Sequence, residues 1–334
     1  AGNLGNLAFY GGRLDEARQQ YERQLEISRA NAEPHGQALA LGNLAMLLAH
    51  AGRFEEACGL YEQALALHRE AGDRRGEAWA RRNLGDTHGC RGRLAPAVQE
   101  VERSLELARE IEDRRAEALS ALSLGNMFLL LGRHDAAREM IETTRLLAEE
   151  TEDPRTGTTA IQNLAELAIR QGDLEEALRR SEEAVALQRA SDHRHGHVTA
   201  LLMLGDVQRR RGEASAVRAT LTELLERATS DGERDAIVLA RAQLALLDPA
   251  EVDAARASLA DGERYLTQET RVMAHHLLWQ ATGVVVHLDA AHRAMKVLCS
   301  GAPEEDWSSM LENVPLYRDI VRAWAETGVE EGRS

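Results

Sequence analysis

Three histidines at alternate positions, His193, His195 and His197, are the side chains whose type and spacing first suggest chemistry in this sequence. Imidazole is a common ligand of zinc and other transition metals. At the beginning of a helix, however, alternate positions point away from one another, so the three rings would not converge on one ion. We favour a solvated turn for this motif and predict no metal site.

Catalysis would need a nucleophile beside a base, a glycine loop that holds phosphate, or a metal-binding helix, and the sequence contains no such pattern. Cys58, Cys90 and Cys299 lie far apart without a Cys-x-x-Cys pair, which argues against a disulfide framework and against a zinc site. Acidic pairs such as Glu55 and Glu56 begin predicted helices, where negative charge stabilises the helix dipole. We therefore predict that the chain is not an enzyme and needs no cofactor.

The composition favours helices and limits the kinds of partner. Aromatic residues make up 4% of the chain and there are only 6 prolines, so we predict an all-α fold. The formal net charge of -15 opposes binding to a phosphate backbone, and we expect no nucleic acid partner. No segment approaches the roughly 20 apolar residues that span a bilayer, and the N-terminus lacks the features of a signal peptide. We expect a cytoplasmic protein that does not enter a membrane.

A period of 40 residues runs through most of the chain. Leucine recurs at Leu4, Leu44, Leu84, Leu124, Leu164 and Leu204, and glycine recurs at Gly12, Gly52, Gly92, Gly132, Gly172 and Gly212. A third column is small, at Ala17, Ala57, Ala97, Ala137, Ala177 and Val217. This regularity indicates a repeat array in which each unit packs against its neighbours.

Each repeat contains two amphipathic helices. In one repeat an apolar stripe through Leu41, Leu44 and Leu48 predicts a first helix, which ends at Gly52 because glycine accepts a left-handed backbone. A second stripe that starts at Phe54 predicts the second helix. An aspartate precedes the following repeats at Asp73, Asp113 and Asp153, where its carboxylate is expected to cap the next helix.

These columns resemble the tetratricopeptide repeat, whose signature is Trp-x-x-Leu-Gly-x-x-Tyr followed by Ala-x-x-x-Phe. One repeat reads Leu41-x-x-Leu44-Ala45-x-x-Leu48 and then Ala57-x-x-x-Tyr61, and glycine follows the leucine at Gly5, Gly85, Gly125 and Gly205. The period exceeds the usual one of about 34 residues, and the closing proline of the family is absent. In this the chain is similar to the long-repeat arrays of kinesin light chain and of bacterial signalling proteins. The resemblance covers residues 1–247 and implies a right-handed α-solenoid of antiparallel helix pairs.

The resemblance divides the chain into three parts. We expect about six helix pairs in residues 1–247, the first helix being truncated, then two degenerate pairs in residues 248–301. Residues 302–334 are expected to form capping helices that cover the apolar face of the last pair. Because the chain begins without methionine, inside a predicted helix, we expect it to be a piece of a longer protein.

One column of the expected concave surface, which the first helices line, carries Asn3, Asn43, Asn83 and Asn163, and is interrupted by Ser123 and Met203. An asparagine carboxamide offers a donor and an acceptor, which suits the backbone of an extended peptide. The resemblance implies the same role, since long-repeat relatives hold ligands with such a ladder. The alternative is that each asparagine bonds only within its own helix pair.

Further polar groups are expected beside this ladder. Asn126 occupies a neighbouring column, and Arg82 and Arg170 could each bind a ligand carboxylate through two hydrogen bonds. Pairing with carboxylates on their own helices is an equally good explanation for both arginines.

We therefore predict a protein–protein interaction module that binds a peptide or protein segment in its concave groove. By resemblance it is the sensor or scaffold part of a larger bacterial signalling protein. The alternative, from a different class, is self-association or an intramolecular scaffold that regulates an attached kinase, ATPase or transcription activator.

Overall fold

A computed structural model describes residues 2–191, 194–231 and 233–327, and leaves out the side chains at positions 2, 3, 10, 191, 194, 195, 230 and 231. The described residues form α-helices, short 3-10 turns and connecting turns, with no strand among them. The helices are α1 (Gly2–Tyr10), α2 (Leu14–Ala30), α3 (Pro34–His50), α4 (Phe54–Glu70), α5 (Arg74–Cys90), α6 (Leu94–Glu110), α7 (Arg114–Leu130), α8 (His134–Glu150), α9 (Pro154–Gln171), α10 (Leu174–Ser191), α11 (Arg194–Arg210), α12 (Ala214–Asp231), α13 (Arg234–Ala245), α14 (Val252–Gly262), α15 (Gln268–Thr282), α16 (Val285–Ser300), α17 (Trp307–Asn313) and α18 (Pro315–Thr327).

The glycine column ends the first helix of each pair. Gly52 has a φ of 74°, and its counterparts from Gly12 to Gly212 share this left-handed conformation. The aspartates act as helix caps, as predicted: the Oδ1 atom of Asp73 accepts a hydrogen bond of 2.9 Å from the backbone N–H of Gly76. Short turns with these signals place consecutive helices side by side.

A second glycine column lets the two helices of a pair approach closely. A Cβ atom at position 85 would lie 2.5 Å from Cγ2 of Val101, and one at position 205 would lie 2.6 Å from Cδ2 of Leu221. Any side chain there would force the bulky column of the second helix outward. The leucine–glycine pattern therefore reflects packing within each pair.

The chain divides into two compact units, residues 1–124 and 125–334, with the boundary inside α7. In the first unit each helix from α1 to α5 packs against the next one, and in the second unit the same is true from α8 to α15. The sequential packing of helix pairs confirms the predicted all-α solenoid class. Within the described ranges, none of the helices combines the length and apolar character that a membrane span needs.

The helices after α12 follow the repeat less closely. The carboxylate of Asp248 accepts a hydrogen bond of 3.0 Å from the backbone N–H of Ala250, and Pro249 follows the cap. These residues lead into α14, the second helix of the seventh pair, whose first helix is α13. The first of these two helices begins at Arg234 and packs against the second.

The C-terminal helices make a long-range contact inside the second unit. α18 packs against α16 and α17. The guanidinium of Arg133, in the turn after α7, donates hydrogen bonds to both carboxylate oxygens of Asp306, one of them 2.7 Å long. The amide of Asn313 donates to the carbonyl of Gly132 at 3.0 Å. The C-terminal segment is thus held on a turn that lies more than four repeats earlier in the chain.

Candidate binding surface

A cavity of about 510 Å³ lies within residues 1–124, and most of its lining comes from the first helices of the pairs. α1 contributes Asn6, α3 contributes Asn43, α5 contributes Trp79 and Arg82, and α7 contributes Leu119. The walls thus combine amide, aromatic, guanidinium and aliphatic groups, a mixture typical of sites that orient a ligand through a few polar contacts.

The two asparagines of the ladder whose side chains are described in this unit, Asn43 and Asn83, differ in what they contact. The side-chain amide of Asn83 donates a hydrogen bond of 2.7 Å to the carbonyl of Trp79 on its own helix. Among the described residues, the carboxamide of Asn43 has no hydrogen-bond partner, although it is half-buried in the cavity wall. Asn43 therefore presents both its donor and its acceptor to the cavity.

Trp79 is the only tryptophan, tyrosine or phenylalanine among the described residues that line the cavity. Its ring lies over Gly42, where a Cβ atom would be 2.2 Å from Cζ3, and it meets the ring of Tyr61 edge-on with centroids 6.1 Å apart. The glycine makes room for the indole, and the tyrosine fixes its orientation.

Arg82 pairs with Asp86 on the same helix, with 3.2 Å between Nη1 and Oδ2. This is the intrahelical pairing that the sequence analysis kept as the alternative to ligand binding. The pair leaves the cavity mixed in charge, because Asp73 and Arg75 also line it.

In the second unit the corresponding side chains contact one another. The amide of Asn163, on α9, donates a hydrogen bond to Oδ1 of Asn126, on α7. Arg170 contacts Glu166 at 2.7 Å and Glu269, on α15, at 3.1 Å, and only 10% of its side chain is exposed. Arg170 is therefore already surrounded by carboxylates of its own chain.

Other sequence predictions fall partly outside the described region. The side chains of Asn3, His193 and His195 are not described, so their contacts are not part of this picture. His197 is described and is buried, with its Nε2 atom 3.6 Å from Oε1 of Glu223.

A cysteine and a histidine meet in the core of the first unit, a pairing that in other settings activates a nucleophile. The Sγ atom of Cys58 lies 3.8 Å from Nδ1 of His88, and both side chains are buried. Burial raises the pKa of the Cys58 thiol to about 11, and burial also lowers the pKa of His88. The thiol therefore stays protonated at neutral pH and acts as a small core side chain.

At the rim of the cavity the structure brings together two histidines that the sequence analysis did not single out and Asp73, which it predicted only as a helix cap. The Nδ1 atoms of His35 and His68 lie 3.0 and 2.8 Å from Oδ2 of Asp73. Burial lowers the pKa of His68, against the raising effect of Asp73, while the pKa of Asp73 also lies below its usual value because hydrogen bonds from Gly76 and His68 outweigh its burial. These shifts favour the neutral form of the His68 imidazole and the ionised form of the Asp73 carboxylate.

The 40-residue period contains a signal for this cluster. At the positions equivalent to His35 the following repeats carry Arg75, Arg115, Arg155 and then His195, and at the positions equivalent to His68 the other repeats carry Ser28, Ala108, Ala148, Gln188 and Ala228. Two histidines therefore occur together where neighbouring repeats have arginine and a small residue.

Comparison with known proteins agrees with this architecture. Sequence profiles described as tetratricopeptide repeat match residues 2–31, 36–110, 114–143 and 155–230, together well over half of the chain. No curated protein sequence gives a significant match.

Three solved structures illustrate the similarity of fold. The Rap conjugation gene regulator of the plasmid pLS20, in complex with a Phr peptide, is 15% identical, with a TM-score of 0.70 over 86% of this chain and 78% of that chain. NprR in complex with its cognate peptide NprX is 13% identical, with a TM-score of 0.63 over 96% and 85% of the two chains. A signal transduction ATPase with numerous domains from Pyrococcus horikoshii, which has a tetratricopeptide repeat sensor, is 13% identical, with a TM-score of 0.55 over 98% and 48%.

Proposed function

Because the chain belongs to the tetratricopeptide repeat family, we propose that it binds an extended peptide or protein segment along its first helices, with the cavity of residues 1–124 as the part that holds the ligand. The main support is the cavity itself, in which the unpartnered carboxamide of Asn43 faces the same space as Trp79 and Arg82.

The chemistry of these groups suits a peptide in extended conformation. The carboxamide of Asn43 matches the alternating N–H and C=O groups of a peptide backbone, which present one donor and one acceptor per residue. The indole of Trp79 offers an apolar face for a ligand side chain, in a rigid position that costs little conformational entropy on binding. Together they give backbone affinity and side-chain selection.

Other members of the ladder belong to the same proposal with different contributions. Asn83 donates to its own helix but keeps its second N–H and an acceptor lone pair for a ligand. In residues 125–334 the hydrogen-bonded pair of Asn126 and Asn163 would have to open or be bridged, and Arg170 would have to exchange a carboxylate of its own chain for one of the ligand. We therefore expect the first unit to contribute most of the affinity.

The wider role that fits this activity is that of a sensor or scaffold within a larger bacterial signalling protein. Rap and NprR were solved with peptides bound, and the Pyrococcus ATPase carries its tetratricopeptide repeats as a sensor. These similarities support a signalling role without chemistry at the array itself.

Peptides selected from a random library on the full chain provide the test, with affinities measured by fluorescence anisotropy. Asn43→Ala should weaken binding about tenfold or more, since loss of two hydrogen bonds of about 1 kcal/mol each corresponds to that range. Asn31→Ala is the matched control, because Asn31 lies at the end of α2 outside the cavity lining. Equal affinity in both variants would show that the ligand binds elsewhere.

A second candidate function, an intramolecular scaffold, is favoured by the contact between Arg133 and Asp306. In this case the C-terminal helices compete with a ligand for the surface of residues 125–334. Arg133→Met should then bind the selected peptides more tightly than the parent chain does. Unchanged affinity would reject the competition.

A further inference from the structure

We propose that His35, His68 and Asp73 form a binding site for a divalent transition-metal ion of the zinc type at the rim of the cavity in residues 1–124. One potential ligand atom from each residue lies within 4.8 Å of the other two. Two imidazoles and a carboxylate are ligands that zinc accepts, with bonds of about 2.0–2.2 Å.

The three side chains come from three different helix ends, which fixes their approach. His35 lies in the first turn of α3, His68 lies in the last turn of α4, and Asp73 caps α5. The two Nδ1 atoms converge on one carboxylate oxygen, and the rings are inclined at 75° to each other. Ligand atoms of tetrahedral zinc stand about 3.3 Å apart, so the two histidine–aspartate distances of 3.0 and 2.8 Å are close to those that a shared ion needs.

Local packing keeps room for this convergence. A Cβ atom at position 76 would lie 2.0 Å from Nδ1 of His68 and 2.4 Å from Oδ2 of Asp73, so only glycine fits there. His68 is fully buried and cannot turn away, whereas 63% of the side chain of His35 is exposed and its ring can adjust. A rigid inner ligand with a mobile outer ligand suits an ion that enters from solvent.

In the next repeat the equivalent residues form an ion pair. Arg75, the equivalent of His35, pairs with Asp113, the equivalent of Asp73, with 2.6 Å between Nε and Oδ2. A guanidinium has no lone pair to offer a metal. Replacing it with imidazole, and placing a second imidazole at His68, converts an ion-pair position into one with three ligand atoms.

Three protein ligands leave at least one coordination position of a four-coordinate ion open. His35 and Asp73 also line the cavity, so an open position there is accessible to water or to a ligand in the cavity. The ion would thus add a Lewis-acidic group to a surface that otherwise binds through amide, aromatic and charged side chains.

Zinc titration of the full chain, purified without a polyhistidine tag and in competition with a chromophoric chelator, tests the site without any peptide. The parent chain should take up one ion. His35→Arg copies the neighbouring repeat and should keep the helicity and the thermal midpoint. Zinc affinity should fall at least about tenfold, because even the loss of a residue that only supports a metal ligand weakens metal binding by about 10–100-fold. Asp73→Asn should do the same, because asparagine still caps a helix.

Two controls separate this site from other histidines. His50→Ala removes a histidine of α3 outside the cluster, and the double variant His193→Ala/His195→Ala removes two of the three histidines of the sequence motif. Both should keep the affinity of the parent chain. X-ray absorption of the zinc-loaded protein should show nitrogen and oxygen ligands near 2.0–2.2 Å that include two imidazoles. No uptake by the parent chain, equal affinity in His35→Arg, or loss of zinc in the double variant would overturn the proposal.

Discussion

Replacing Arg133 with methionine removes the cation that holds Asp306 and tests whether this pair fixes the C-terminal helices to the turn after α7. The side chain of Asp306 is 4% exposed, and both of its oxygens accept hydrogen bonds from Arg133. Removing one partner of a buried ion pair costs about 3–5 kcal/mol, because the other charge is left buried without compensation. Since 32% of the Arg133 side chain is exposed, we expect the lower end, about 3 kcal/mol.

Hydrogen exchange monitored by mass spectrometry measures the loss of local stability in the C-terminal helices themselves. The expected loss corresponds to about 10²-fold faster exchange of the protected amides of α18, while α4 in the other unit should exchange at the parent rate. Arg53 occupies the equivalent position two repeats earlier and pairs with the exposed Glu56, so Arg53→Met should change stability by less than about 1 kcal/mol.

A double variant separates the pair from general damage to the turn. Combining Arg133→Met with Asp306→Leu removes both charges, and replacement of a buried ion pair by apolar residues is often neutral or stabilising. Protection of α18 should therefore return towards the parent value. If α18 exchanges at the same rate in the parent chain and in Arg133→Met, the pair does not hold the C-terminal helices.

Two further predictions concern single positions in the second unit. Gly132→Ala should lower the thermal midpoint by more than Gly172→Ala does, because both glycines have positive φ but only at position 132 would the new Cβ meet a backbone atom, the carbonyl oxygen of Ser309 at 2.5 Å; equal shifts would contradict the close approach. Burial lowers the pKa of His276 to about 4, so the unfolded chain takes up this proton first as the pH falls below about 6.5, and stability is lost down to about pH 4. Urea unfolding should show the parent losing about 1–2 kcal/mol more than His276→Phe between pH 6.5 and pH 5, and parallel losses would refute the assignment.

Local patterns predict most of this fold because the contacts within a repeat are local. Gly52 follows its stripe by a few residues, and Gly85 and Val101, which touch, lie in adjacent helices. A period of 40 residues therefore carries the helix ends, the caps and the packing within pairs. In α13 the leucine column continues at Leu244, whereas the glycine column that ends the other first helices is replaced by Val252, so the end of this helix is less apparent from the period.

The candidate site was less predictable than the fold, because it depends on side-chain directions. Asn83 forms a hydrogen bond to its own helix and Asn43 does not. This difference depends on side-chain rotamers, which a single sequence does not specify. Arg170 meets Glu269, a residue almost a hundred positions away, and no periodic pattern indicates such a pairing. The cluster of His35, His68 and Asp73 could have been predicted from the sequence, because comparison of equivalent positions between repeats shows where the two histidines occur together.

The contact between Arg133 and Asp306 also has a consequence for the order of folding. In a repeat array most contacts join neighbours, so folding can begin at any pair and spread along the chain. This contact closes a loop of 173 residues, and closing such a loop in a disordered chain costs about 4–5 kcal/mol of entropy. The contact therefore forms after the intervening pairs have assembled. Weakening it should speed unfolding and leave the folding rate almost unchanged. The ion pair of Arg133 and Asp306, which forms last, then protects residues 125–334 against fraying at the C-terminal end.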